Sequence, residues 1–164
     1  MNTVQQQRVP MKLAIGLGAI GALGPSAVYM YLSSLPEIAR DYDAGFASVQ
    51  LTLTFFLLAM GAGQLLFGPF VDAYGRRRPL LIGLVVFILC SLGSAWAPTL
   101  SVLLGFRFVQ GLGSALTLVV IMSTVRDVSR GATATKLFAL LMTIEGVAPI
   151  LAPALGGFID SYFG

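Results

Sequence analysis

The sequence has no histidine, one cysteine and few charged residues, and each shortage argues against a class of protein. Without histidine, the side chain that most often acts as a general base near neutral pH is missing. The single cysteine, Cys90, cannot form a disulfide within the chain, and one thiol is too few for a metal site. Since no nucleophile–base pair is evident either, we expect no enzyme, no metal and no other cofactor.

Charged residues make up only 10% of the 164 residues, whereas soluble domains usually carry about 25%. Apolar side chains account for 57%, and two of the uncharged runs, 44–71 and 79–106, are especially long. A helix needs about 20 apolar residues to cross the hydrocarbon core of a bilayer. The composition therefore predicts an all-α, polytopic transmembrane helix bundle whose main partner is the lipid bilayer.

The uncharged runs divide the chain into five predicted transmembrane helices with short connections and no soluble domain. A cleaved signal peptide is the competing interpretation of the first run, but that run is longer than the apolar core of about 7–15 residues in such peptides. Gly16–Gly21 spells the dinucleotide fingerprint G-x-G-x-x-G, yet it lies inside this run, so we expect helix packing there instead. The predicted helices are 13–36, 46–70, 79–97, 100–125 and 136–159.

Positive charge alternates between the segments that connect these helices. The N-terminal segment and the second and fourth loops are basic, whereas the first loop carries Glu37, Asp41 and Asp43 against a single cation, Arg40. Because short loops rich in Lys and Arg stay inside the cell, the pattern predicts a multi-pass protein with a cytoplasmic N-terminus. Nucleic-acid binding is not expected, since it needs basic residues on one soluble face.

A polar island, GPFVDAYGRRRPL at Gly68–Leu80, separates the two longest uncharged runs. It predicts a tight turn between the second and third helices, and its consecutive arginines place that turn on the cytoplasmic side. The island resembles the loop between helices 2 and 3 of the major facilitator superfamily of transporters. The resemblance implies a fold of two six-helix halves, of which this chain would supply the N-terminal part. The matching positions are Gly68, Asp72, Gly75, Arg76, Arg77 and Leu80.

Asp127 follows the fourth predicted helix and is placed to pair with Arg76, as the resemblance to the superfamily also implies. We expect Asp72 and Arg76–Arg78 to form a charge network at the cytoplasmic face, with Asp127 paired to Arg76. Our hypothesis is that this network, together with the glycines of the island, is a conformational latch for the outward-facing state.

Two ionisable residues, Arg107 and Glu145, lie within predicted helices. A charge inside the membrane is costly, and by default it suggests a functional site or a buried partner. Arg107 could instead extend its side chain to the outer interface. Glu145 has a shorter stem, and its alternative role is that of a neutral, protonated acid in helix packing.

Arg107 belongs to a second recognisable string, L-x-x-x-R-x-x-Q-G-x-G at 103–113. This string resembles the helix 4 motif of drug:proton antiporters in the same superfamily, which implies a role for Arg107 in proton coupling. Its Gly111 and Gly113 allow another helix to approach closely. With Gln110 of the string, and Gln64 in the second helix, Arg107 and Glu145 are the candidates for proton coupling or substrate contact.

A third string, A-x-x-x-A-P-x-x-G-G at 148–157, resembles the helix 5 motif of exporters in this superfamily. Pro153, Gly156 and Gly157 match that motif, while Ala148 and Ala152 stand where the family has glycines. Small residues beside a proline give a helix that can kink and that a neighbour can approach closely. Ordinary helix packing is the alternative interpretation.

Together with VQLTLT at 49–54 and MYL at 30–32, these strings most resemble the bicyclomycin/chloramphenicol (Bcr/CflA) branch of drug exporters. That branch often has an acid just before MYL and a proline just after it, where this chain has Tyr29 and Ser33. Because this chain has no carboxylate at position 29, Glu145 becomes a stronger candidate for binding protons or cationic drugs.

The resemblance implies proton-coupled efflux of small amphipathic drugs across the bacterial cytoplasmic membrane. Five helices supply one wall of a central cavity, so we expect this chain to be a truncated product or fragment that is inactive without its C-terminal half. The alternative is a small, non-transporting membrane protein that packs against a partner. The coding sequence beyond codon 164 separates the two, since only an exporter needs further helices there.

Overall fold

The computed structural model describes residues 10–129 and 131–163, with the surroundings of their side chains except at 132, 148, 153, 156, 157 and 159–163. Within those ranges the chain forms six α-helices and no strand. The first two helices make one span, so five stretches are long and apolar enough to cross a membrane. The predicted all-α helix bundle is therefore confirmed. The helices are α1 (Met11–Gly21), α2 (Leu23–Asp41), α3 (Phe46–Tyr74), α4 (Arg77–Ala95), α5 (Leu100–Val128) and α6 (Ala132–Phe163).

The first span is divided at Ala22, although the sequence predicts one helix over 13–36. Pro25 has no N–H to donate to the carbonyl of Gly21, four residues earlier, and its ring disfavours a straight helix there. Hydrogen bonds of 2.9 Å from Ala22 N to Gly18 O and from Ser26 N to Ala22 O carry the chain across the interruption. The interruption is therefore local, and α2 continues the same crossing.

Several helices also run past their predicted ends. α2 continues through Pro36 to Asp41, α3 and α5 continue to Tyr74 and Val128, and α6 begins at Ala132, whereas α4 ends early at Ala95. An uncharged run marks the hydrocarbon core of a bilayer, whereas a helix can extend into the headgroup region on either side. The charged residues at 72 and 126–127 thus lie on the last turns of helices and not in loops.

Alternate loops give the bundle two distinct ends. The end with Lys12, Arg76–Arg78, Arg126 and Lys136 is called the basic end here, and the opposite end, with Glu37, Asp41 and Asp43, is called the acidic end. α1, α4 and α6 begin at the basic end, while α3 and α5 begin at the acidic end.

The six helices pack as two groups. The first group joins α1 and α2 to α6, and the second joins α3 and α4 to α5, with fewer contacts between the groups than within them. α5 is the centre of the bundle, because 67% of its most apolar segment is buried, against 22% for α3 and for α4.

Apolar clusters connect the two groups near both ends of the bundle. At the basic end, α1, α5 and α6 contribute Ala14, Leu17, Ile121, Val125, Leu137 and Leu141. At the acidic end, α2 and α3 contribute Tyr31, Leu35 and Val49. A cavity lies between these two clusters, and the candidate site is built around it.

Candidate functional site

A cavity of about 310 Å³ lies at mid-span, between the two helix groups. Four spans line it: the α1–α2 junction, α3, α5 and α6. Its volume is at the lower end of the range of about 300–1,000 Å³ that is usual for small-molecule sites. α4 does not line it, since this helix packs mainly against the far side of α5. The apolar part of the wall includes Val28, Leu57, Met60 and Leu118.

Glycines at the α1–α2 junction make room for the polar groups of the cavity wall. A β-carbon at Gly21 would lie 2.6 Å from Glu145 Oε1, and one at Gly24 would lie 2.6 Å from Ser114 Oγ. Any larger residue would therefore displace these polar atoms. Ser114 Oγ in turn donates to Met60 Sδ at 3.7 Å. These two glycines thus let α5 and α6 approach the first span closely enough to complete the wall.

Glu145 is the only carboxylate among the described residues that line the cavity, and no Lys or Arg lines it. Its side chain is partly buried, and it lies against the backbone at Gly21. An isolated carboxyl group in such surroundings can take up a proton or bind a cation. The structure therefore places this predicted site residue in the cavity wall.

Arg107 lies outside that wall, nearer the acidic end. It is only 8% exposed, so it does not extend to the membrane interface. Its guanidinium carbon lies 3.5 Å from the centroid of the Tyr31 ring, and its Nη1 donates to Gln110 Oε1 at 3.1 Å. Gln110 Nε2 donates to Ser91 Oγ at 2.7 Å. Among the described residues, no ion pair joins Arg107 to Glu145.

Gln64 is exposed on α3. It follows Leu57 and Met60 at helical spacing, so these three residues share one face of the helix. Both of the others line the cavity. Gln64 therefore lies about one turn beyond the cavity, toward the basic end, and the structure does not bring it into the wall.

The residues of the predicted latch meet at the basic end. Arg76 donates from Nη1 to Asp72 Oδ1 at 2.9 Å and from Nε to Asp127 Oδ2 at 2.8 Å. The guanidinium lowers the pKa of Asp127, chiefly through this hydrogen bond, and the two carboxylates raise the pKa of Arg76. One arginine thereby joins the end of α3 to the end of α5.

The other latch residues have different surroundings. Gly75 caps α3 with a φ of 75°, a backbone conformation that favours glycine. Arg77 begins α4 and is exposed, and it makes neither of the two described ion pairs. A β-carbon at Gly68 would meet nothing within 4 Å, so no close packing requires a glycine there.

Gly111 and Gly113 bring α5 close to two neighbours. A β-carbon at Gly111 would collide with the backbone oxygen of Phe56 in α3. One at Gly113 would lie 3.0 Å from the backbone oxygen of Gly83 in α4. The third string lies on α6, but the surroundings of Pro153, Gly156 and Gly157 lie outside the described part of the structure.

Sequence reasoning missed three polar residues that the structure brings into these contacts: Tyr31, Thr52 and Ser91. Tyr31 Oη lies 2.6 Å from Thr52 Oγ1, and Ser91 accepts from Gln110. Tyr31 and Thr52 occur in the strings that carry the branch resemblance, yet neither is charged. Only the packing of α2 against α3 and α5 shows their partners.

The fold and the cavity define a polytopic helical membrane protein with a small-molecule-sized site at mid-span. The family model of the Major Facilitator Superfamily matches residues 16–164, which is most of the chain. The chain therefore belongs to the Major Facilitator Superfamily, a family of transporters and not of enzymes.

Two of the chain's curated relatives are named for drug resistance. It is 46% identical over 149 residues to the uncharacterized MFS-type transporter YdgK of Bacillus subtilis, covering 91% of this chain and 37% of that protein. It is 34% identical over 160 residues to the bicyclomycin resistance protein homolog of Haemophilus influenzae, covering 98% and 40% respectively. It is 36% identical over 136 residues to the chloramphenicol resistance protein of Pseudomonas aeruginosa, covering 82% and 32%. The chain thus spans less than half the length of these relatives.

Proposed function

We propose that this chain is the N-terminal part of a bacterial transporter that exports small amphipathic drugs in exchange for protons. In this proposal it lies in the cytoplasmic membrane, with its N-terminus and basic end in the cytoplasm, as the distribution of Lys and Arg favours. The names of two relatives refer to resistance to bicyclomycin and chloramphenicol. Those compounds are therefore the first substrates to test.

The observation that carries the proposal is the position of Glu145 in the wall of the mid-span cavity. An exchanger needs a group that binds a proton in one state and releases it in another, within reach of the drug. A carboxyl group does this, and the apolar walls around it suit an amphipathic compound. Since Tyr29 stands where related exporters often have an acid, Glu145 takes the proton-binding role in this chain.

Arg107 and Gln110 act in proton coupling from outside the cavity wall, and Gln64 contributes to the substrate path on the same face as Met60. The latch formed by Asp72, Arg76 and Asp127 stabilises one of the two transport states. Its ion pairs join the end of α3 to the end of α5, so the latch must open when these ends separate.

Transport requires more protein than this chain provides. Major facilitator transporters combine two halves around a central site, and the chain spans only 32–40% of the relatives described above. In the proposal, the remaining half supplies the opposite wall of the cavity, and the 164-residue chain is inactive alone. If no further helices are encoded after codon 164, the alternative of a packing protein gains support.

The test measures accumulation of radiolabelled chloramphenicol in bacteria that express the gene with whatever coding sequence follows codon 164. We expect lower accumulation than in vector cells and loss of that difference when a proton uncoupler is added. Glu145→Gln should restore accumulation to the vector level, whereas Asp43→Asn, an exposed change at the acidic end, should not. A difference that persists with the uncoupler contradicts proton coupling.

The latch is tested separately with Asp72→Asn in the same cells. We expect the variant to insert into the membrane at the normal level, as judged by immunoblotting of membrane fractions, and to lose efflux. Unchanged efflux in a normally inserted Asp72→Asn protein rejects the latch while leaving the assignment of Glu145 intact.

A further inference from the structure

Arg107 is a buried cation that rests on an aromatic ring. The residue is 8% exposed and Tyr31 is 7% exposed, and the guanidinium carbon lies 3.5 Å from the ring centroid. The ion pairs found among the described residues belong to Arg76, so no carboxylate there neutralises Arg107. A buried charge without a counter-charge is costly, and the negative face of an aromatic ring attracts a cation most strongly where water is excluded.

The Tyr31 ring is held in place by α3. Its phenol oxygen lies 2.6 Å from Thr52 Oγ1, and Thr52 Oγ1 also donates to the backbone oxygen of Val49 at 2.6 Å. A threonine hydroxyl has a single proton. While that proton is in the bond to Val49, the phenol of Tyr31 is the donor in its contact with Thr52. This hydrogen bond fixes the position of the ring that Arg107 contacts.

The N–H groups of the guanidinium are only partly satisfied. Nη1 donates to Gln110 Oε1 at 3.1 Å, and Gln110 is itself held through Ser91, whose Oγ donates to the backbone oxygen of Phe87. Arg107 Nε is buried and has no hydrogen-bond partner among the described residues. Because one N–H is unpaired and no carboxylate pairs with Arg107 in the described part of the chain, the guanidinium depends more on its contact with the ring.

We propose that Tyr31 is the positioning residue for Arg107. The negative face of its ring supplies the electrostatic stabilisation that the carboxylate of an acid would otherwise provide. Tyr31 belongs to α2, in the first helix group, while Arg107 and Thr52 belong to α5 and α3, in the second group. A shift of α2 relative to α3 and α5 therefore moves the ring away from the guanidinium. The relevance of this movement to transport rests on the proposed function, whereas the positioning itself does not.

The test measures the modification of Arg107 by phenylglyoxal, followed by mass spectrometry, on the 164-residue chain in lipid nanodiscs. In Tyr31→Leu, which keeps an apolar side chain but removes the ring, we expect Arg107 to react about tenfold faster than in the unsubstituted chain. Tyr31→Phe should keep most of the protection. Leu32→Ala, an exposed position on the same helix that does not line the cavity, is the matched control and should leave the rate unchanged.

A graded series separates the ring's charge distribution from its volume, and it also covers the case in which Tyr31→Leu does not fold. Phenylalanine, 4-fluorophenylalanine, 3,5-difluorophenylalanine and 3,4,5-trifluorophenylalanine are introduced at codon 31 by nonsense suppression. Fluorine withdraws electron density from the ring face with little change in size, so the rate at Arg107 should rise with each added fluorine. Equal rates across the series, or equal protection in Tyr31→Leu, overturn the proposal.

Efflux measurements connect this contact with transport. In cells that express the longer gene, we expect the fluorinated series to shift the pH profile of chloramphenicol efflux in the same order as the labelling rates. If neither the unsubstituted protein nor any variant exports the drug, the proposed function fails. The labelling results still decide the role of Tyr31. If efflux occurs but its pH profile is the same across the series, Tyr31 does not act through Arg107 in transport.

Discussion

At the scale of single residues, Gly75 shows the most restrictive backbone, with φ 75° and ψ −179°. Side chains with a β-carbon are strained there. We expect Gly75→Ala to reduce the free energy of unfolding by about 1–3 kcal/mol, measured by thermal unfolding in detergent micelles. Gly61→Ala is the control, because a β-carbon there meets nothing within 4 Å. This change in an exposed helix interior should stabilise by about 0.5–1 kcal/mol.

The pair of Arg76 and Asp127 predicts a dependence on pH. Because the hydrogen bond from Arg76 lowers the pKa of Asp127, the contribution of Asp127 to stability is present above the unfolded pKa of about 3.9. It is lost as the pH falls through the lower, folded value. The raised pKa of Arg76 matters only in strongly alkaline solution.

Hydrogen exchange at the amides of residues 75–77 measures this effect. We expect exchange, corrected for its intrinsic dependence on pH, to become faster as the pH is lowered below about 4. Asp127→Asn should reduce that change, because its amide does not titrate while Asp72 still contacts Arg76, whereas Asp43→Asn at the acidic end should retain it in full. The same acid-induced change in Asp127→Asn contradicts the assignment.

The latch contacts could be predicted from the sequence because charged residues in a membrane protein have few possible partners. Asp72 and Arg76 are one helical turn apart, and Asp127 lies in the last turn of the next helix that ends on the same side. The partners of Arg107 could not be predicted in this way. They are an aromatic face and an amide, and uncharged side chains of both kinds are common in every helix.

At the scale of helices, the close approach of α5 to α3 depends on Gly111. A β-carbon at this position would collide with the backbone oxygen of Phe56, and backbone cannot move away as a flexible side chain can. We expect Gly111→Ala to destabilise the protein by about 1–3 kcal/mol in thermal unfolding. Gly105→Ala lies on the same helix with nothing within 4 Å, so it should be neutral or slightly stabilising. Equal effects of the two changes exclude a packing role for Gly111.

The existence of the helices followed from the long uncharged runs, but their ends did not. Hydropathy reports where lipid tails surround the chain, whereas α3 and α5 continue into charged turns at Tyr74 and Val128. The interruption at Ala22 was also missed. Pro25 was visible in the sequence, but whether a proline bends, breaks or merely occupies a membrane helix depends on its neighbours.

At the scale of the whole molecule, the alternation of basic and acidic ends predicts the orientation of the protein in the membrane. Cysteines introduced singly at positions 74 and 128, in a Cys90→Ser background, should react with a membrane-impermeant maleimide only after the cells are opened. Cysteines at positions 43 and 98 should react in intact cells. Labelling of positions 74 and 128 in intact cells reverses the proposed orientation.

The cavity could not be predicted from the sequence, although one residue that lines it, Glu145, was identified as a candidate site residue. Glu145 was notable as a carboxylate within a membrane span, yet its position against Gly21 depends on α6 packing against the first span. Contacts between segments so far apart in the chain leave no local pattern. Gln64 was selected on polarity alone, and the structure places it on the correct face but about one turn away.

The arrangement of the helices into two groups has a consequence for biosynthesis. α3, α4 and α5 are consecutive in the chain, so this group can assemble as soon as α5 leaves the ribosome. Among the six described helices, the first span precedes all the others, whereas its main neighbour, α6, follows α5. Before α6 is made, the first span therefore has only its smaller contacts with α3 and α5, and its α6-facing side lies in lipid. A ribosome stalled before α6 would expose the Gly21 face of that segment to lipid and to membrane quality control.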